Sequence, residues 1–179
     1  MADANFGILP RDRDVVALVV DSKRRTGFPA NLFVNYPKNS SRKIFELART
    51  LHEEGLCKGA TLSLQSMNEE TLVKIGRGNI KIETYRELMG LYRAAQVPAY
   101  SELILGLPGE TLATFCAGVD ATLDAGQHDA LFIYLCRVLP NAAMADPEYR
   151  RIHGLVTRNH PIRANHADLL ALGRSDVEE

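Results

Sequence analysis

The chain has 179 residues, 46% hydrophobic and 24% charged, which is enough for one domain with a real core. Its formal net charge of -1 recommends no nucleic-acid partner, and no apolar run reaches the length of a membrane span. Three cysteines, Cys57, Cys116 and Cys136, are far apart and odd in number, so they form neither a disulfide framework nor a close metal-ligand set. That usage, with no signal-peptide pattern at the start, fits a reducing, cytoplasmic setting.

The opening MADANFG reads as a turn, and Asp14 is placed to cap a helix through Val15, Val16, Leu18 and Val19. NLFVNY (Asn31 to Tyr36) has the look of a short strand ended by Pro37. Ser41 can cap a helix over RKIFELARTLHEE, stopped by Gly55. ATLSLQS (Ala60 to Ser66) alternates in the manner of a strand, with Leu62 and Leu64 on one face and Thr61, Ser63 and Gln65 on the other. Asn68 can cap a short helix, EETLVKI, and a longer helix covers Ile82 to Ala95. AYSELILGL (Ala99 to Leu107) is the next strand. Thr111 can cap TLATFCAGVDATLDA, which Gly126 breaks, and ALFIYLCRV (Ala130 to Val138) is the last clear strand.

Strands and helices therefore alternate, as parallel crossover units require, and the fold class is α/β. Ligands in such folds bind at the carboxyl ends of strands, where Gln65, Ser66, Gly106 and Asn141 fall. GLPGET (Gly106 to Thr111) forces a tight connection that lets backbone approach a ligand. It lacks the Lys-Ser/Thr pair of a phosphate loop. Ser63, Gln65 and Glu102 put polar groups on strand faces that such folds usually bury. Beyond about Asp146 the chain changes character: PEYRRIHGL reads as a helix, HADLLALGR as another or as the start of a further element, and His153, His160 and His166 have no metal-motif spacing.

The order DANFG, SLQSMNEETL with IGRGN, ELILGLPGET, then RVLPN resembles the catalytic domain of radical S-adenosylmethionine enzymes, in the branch that often carries a cobalamin-binding domain. The resemblance implies a partial (β/α) barrel whose second to sixth units lie in residues 1–145, with residues 146–179 a helical tail or the start of a further element. It implies cofactor contacts at Asp3 and Asn5 after the second barrel strand, at Gln65 and Ser66 after the fourth, at Ile104 and Gly106 on the fifth, and at Arg137 after the sixth. Glu102 stands where the family commonly has glycine.

The family's CxxxCxxC loop is missing, so the chain resembles a fragment lacking the cluster-binding first strand and loop. Each of its three cysteines reads as a small buried hydrophobe and none as a metal ligand. The implied parent cleaves S-adenosylmethionine reductively with a [4Fe-4S] cluster and starts radical chemistry on a small-molecule or peptide substrate, with cobalamin-dependent methyl transfer one outcome. The fragment alone would be inactive and hold no cluster. A barrel sheet lacking its first strand would leave an edge for self-association. The alternatives are a cluster-free αβ-barrel binding or assembly module, or an unrelated αβ-barrel enzyme.

Overall fold

A computed structural model describes residues 5–37 and 39–158. Two helices come first, α1 (Arg11–Thr26) and α2 (Arg42–Glu53). They are followed by β1 (Ala60–Gln65), α3 (Glu69–Lys74), α4 (Ile82–Ala94), β2 (Ala99–Leu105), α5 (Leu112–Asp124) and β3 (Ala130–Leu135). The three strands form one parallel sheet in the order β1-β2-β3. Parallel neighbours need a crossover rather than a hairpin, and α3 with α4, then α5, supply the two crossovers.

Alternation along the strands decides which side chains face the helices. Ala60, Leu62, Leu64, Ala99 and Leu103 are buried in one cluster with Phe45, Tyr85, Leu88, Met89, Tyr92 and Phe115. Thr61, Ser63, Gln65, Tyr100, Glu102 and Ile104 occupy the opposite face and are only partly buried. In register with β2, β3 adds Phe132 beside Glu102 and Tyr134 beside Ile104. A second cluster (Phe6, Val16, Val20, Leu47, Leu51 and Leu56) joins α1 and α2.

The parallel strands fall where the alternation predicts, ending one to three residues sooner than expected. Asn31 to Tyr36 is a correction: it is not a ladder strand. Its alternation is real, since Leu32, Val34 and Tyr36 pack on the second cluster. Its backbone bonds, however, go to loops: Leu32 N–H donates to Leu56 O (2.7 Å) and Asn35 O accepts from Phe6 N–H (2.9 Å).

Asn68 and Thr111 cap α3 and α5 as expected. Ser41 holds the cap position of α2 without a side-chain cap bond. Asp14 does not cap: α1 begins at Arg11, and buried Asp12 closes the preceding turn by accepting from the N–H groups of Gly7 (2.8 Å) and Leu9 (2.9 Å). Cys116 is a second correction, since it is exposed on α5, while Cys57 and Cys136 are half-buried.

Contacts divide the chain into two compact units, one ending at Arg137 and one starting at Val138. In the latter, a 3-10 turn (Ala143–Ala145) precedes α6 (Pro147–Ile152), which Asp146 caps by accepting from Glu148 and Tyr149. HADLLALGR, His160, His166 and Asp3 lie outside the described residues.

Candidate functional site

At the carboxyl end of β1 the backbone leaves its regular path. Ser63 pairs with Glu102 but Gln65 pairs with Leu103, so two steps on β1 oppose one on β2. Gln65 takes up the difference with φ +68, a left-handed conformation uncommon for a residue with a side chain. Strain of this kind costs about 1–3 kcal/mol and needs surroundings that enforce it.

Ser66, 1% exposed, anchors the enforcement. Its hydroxyl accepts from Asn68 N–H (3.0 Å) and donates to the Glu110 carboxylate, while its carbonyl accepts from Asn79 Nδ2 (2.6 Å). One residue thus ties together the β1–α3 turn, the loop before α4 and the GLPGET turn. The Gln65 side-chain amide, half-buried beside this anchor, makes no hydrogen bond to the described residues.

At the end of β2, Gly106 (φ +90) turns the chain outward. Gly109 (φ +80) lies against Lys74, and a Cβ there would come 2.4 Å from Nζ. Thr111 and Thr114 then form a reciprocal capping box, so the start of α5 is partly closed by its own side chains. Burial pushes the Glu110 carboxyl above its ordinary value, the Ser66 hydroxyl pulls it back, and Oε2 is buried without a partner.

On the open face of the sheet, Ser63 Oγ donates to Glu102 Oε2, and Arg77 Nη2 donates to Ser63 O (2.7 Å). Desolvation lowers the Arg77 pKa, with Glu102 opposing, and Arg77 Nε is buried without a partner. Arg77 and Asn79 are polar groups that single-segment reading leaves without a role, and it gives Glu110 only that of a favourable charge near the start of α5. The sequence signal was the IGRGN loop, an arginine held between two glycines immediately after α3.

The expected residues therefore sit as follows. Asn5 lies beside Phe6, whose N–H is bound to Asn35 at the end of the extended segment. Gln65 and Ser66 end β1, and Ile104 lies on the open face of β2 next to Tyr134 in register. Gly106 follows β2, and Arg137, exposed, stands two residues past β3. A groove of about 850 Å³ runs beside this region between α3, the 77–82 loop and α5, lined by Met67, Leu72, Arg77, Asn79, Ile82 and Gly118 among others.

The donor set does not fit an iron-sulfur cluster. Among the described residues no three His, Cys, Asp or Glu side chains converge as metal ligands. Burial pushes the Cys57 and Cys136 thiols up, away from thiolate character. The strand ends fit better to an organic ligand, with a free amide at Gln65, a cation at Arg77 and exposed backbone at Gly106. No helix among the described residues is long and apolar enough to cross a membrane.

No protein-family model matches the chain. Over 157 residues it is 40% identical to the cobalamin-dependent radical SAM methyltransferase TokK of Streptomyces tokunonensis. Over 157 residues it is 41% identical to the 2-(S-pantetheinyl)-carbapenam-3-carboxylate methyltransferase of Streptantibioticus cattleyicolor. Each match takes in 88% of this chain and 23% of the relative, so the chain spans about a quarter of the length of these curated relatives.

The fold matches the radical S-adenosylmethionine methyltransferase TsrM from Kitasatospora setae, solved with cobalamin and a [4Fe-4S] cluster bound. The TM-score is 0.62 at 22% identity, over 80% of this chain and 26% of that one. It also matches the radical SAM enzyme coproporphyrinogen III oxidase (HemN) from Escherichia coli, with a TM-score of 0.53 at 17% identity, over 73% of this chain and 30% of that one. The parallel sheet, its helical crossovers and the 157 matched residues together make this chain a homologue of the cobalamin-dependent radical S-adenosylmethionine methyltransferases, with an α/β fold matching their barrel.

Proposed function

We propose that the chain is part of the catalytic barrel of a radical S-adenosylmethionine enzyme and contributes the S-adenosylmethionine-binding ends of its central strands. Residues 1–145 are the barrel portion, its second to sixth units, and residues 146–179 a helical tail or the start of a further element. The parent cleaves S-adenosylmethionine reductively and transfers a methyl group to a small-molecule or peptide substrate in the cytoplasm. S-adenosylmethionine supplies the sulfonium whose cleavage starts that chemistry. The parent's [4Fe-4S] cluster and cobalamin are held by residues other than those described here, and the 179-residue chain alone is inactive.

The observation that carries this reading is the built turn at Gln65 and Ser66. Strained backbone is locked by Ser66, Asn79 and Glu110, and it presents a free amide suited to ribose hydroxyls. Gly106 and Arg137 follow the neighbouring strands, and Asp3 and Asn5 complete the proposed set at the methionine end. Arg77 offers a partly desolvated cation for a carboxylate. Titrating the isotopically labelled chain with S-adenosylmethionine tests it: amide shifts grouped at Gln65, Gly106 and Arg137 are expected. Saturable shifts grouped instead around His153 would defeat the reading. The isolated chain is also proposed to self-associate through an exposed edge of its sheet.

A further inference from the structure

On the face of the sheet turned away from the helices, a single carboxylate stands among aromatic rings. Glu102 is the middle residue of β2, flanked in register by Ser63 on β1 and Phe132 on β3. The Ser63 hydroxyl donates to Oε2, which fixes the orientation of the carboxylate, while Oε1 carries no hydrogen bond from any described residue. Tyr100, Phe132 and Tyr134 line up beside it, with ring centroids 6.0 Å apart from Tyr100 to Phe132 and 6.4 Å from Phe132 to Tyr134. Phe132 and Tyr134 are 45% and 43% exposed, so their faces are open.

A carboxylate in a strand centre is costly to keep unless something compensates it. Ser63 and the more distant Arg77 compensate part of it, since Arg77 spends its hydrogen bond on the Ser63 carbonyl. A held carboxylate with one free oxygen, next to π faces that attract cations, has the chemistry of an ammonium site. An anion would be repelled by Glu102, and a purely apolar group would leave its free oxygen desolvated and unpaired.

We infer that Glu102, Phe132 and Tyr134 form a binding site for a protonated amine carried on an apolar or aromatic body. Glu102 is its specificity-determining residue, accepting the N–H through Oε1. The inference deepens the proposed function and rests on it for its meaning, since it names the group that the parent's substrate presents to the barrel interior.

The test compares 2-phenylethylammonium with its neutral counterpart 2-phenylethanol, each titrated into the labelled 179-residue chain. The ammonium should give saturable shifts at Ser63, Glu102, Phe132 and Tyr134, and the alcohol should bind about tenfold or more weakly. Glu102→Gln keeps the side-chain shape and the Ser63 bond, and should bring the ammonium down to the level of the alcohol. Phe132→Leu should weaken the ammonium more than the alcohol, because it removes a π face that only the cation uses electrostatically.

Equal binding of the two probes, ammonium shifts elsewhere, or unchanged affinity in a folded Glu102→Gln chain would overturn the inference. Should Glu102→Gln fail to fold, the contrast between the probes in the native chain decides alone. S-adenosylmethionine shifts at Gln65, Gly106 and Arg137 are read separately. Their absence beside an intact ammonium response sinks the proposed function, and the reverse result sinks only the ammonium site.

Discussion

Glu110 shows how much one residue's surroundings add to its sequence context. Next to a helix start it looks like a simple favourable charge. In the structure it is the acceptor that locks Ser66, and burial raises its carboxyl above the ordinary value. A native pKa above the unfolded one means that the folded chain binds the proton more tightly. Stability from this group is therefore greatest below the unfolded pKa and declines as pH rises toward the raised native value. Urea midpoints of the native chain minus those of Glu110→Gln should fall from about pH 4 to about pH 7, and a flat difference would contradict the assignment. Ser101 makes a second case. Its hydroxyl and that of Tyr85 meet at 2.6 Å with both residues 0% exposed. Ser101→Ala should cost about 1–3 kcal/mol by stranding the Tyr85 hydroxyl, and adding Tyr85→Phe should recover part of the loss in the same denaturation assay.

Between elements, the tight approaches decide what the chain tolerates. Gly59 precedes β1 and lies against the residue before β2: Ala60 N–H donates to Pro98 O (2.9 Å), and a Cβ on Gly59 would come 2.3 Å from that same oxygen. A backbone oxygen cannot move aside as a flexible side chain can. Gly59→Ala should therefore push the starts of β1 and β2 apart and cost more than about 2 kcal/mol, read as a lowered melting temperature. Nothing in KGATL announces this contact, because it depends on which strand becomes the neighbour. The caps at Asn68 and Thr111 were legible for the opposite reason: each bond closes within three residues. Asp12 was missed although its bonds are also short-range, because it closes the turn before α1 rather than capping the helix itself.

For the whole molecule, the sheet is least covered at β3, on both of its faces. Ile133 and Leu135 are 49% and 73% exposed on one face while Phe132 and Tyr134 are open on the other. Apolar strands uncovered on both faces attract partners, and the net charge of -1 offers little repulsion to oppose it. Light scattering should show the isolated chain larger than its 19.8 kDa, with Leu135→Lys shifting it toward the monomer; a native chain that stays monomeric would count against self-association. The sequence by itself determined the alternation of helices and strands, the parallel fold class and the placement of Gln65, Ser66 and Gly106 at strand ends. These follow from periodicity and turn chemistry, which act over a few residues. It could not determine that Asn31 to Tyr36 stays outside the ladder, that Cys116 faces outward, or that Ser66 meets Glu110 44 residues away. Pairing and burial of that kind depend on which distant backbone supplies the partner. Only the tertiary structure decided them, because a hydrogen bond or a packed face exists only once both of its sides are in place.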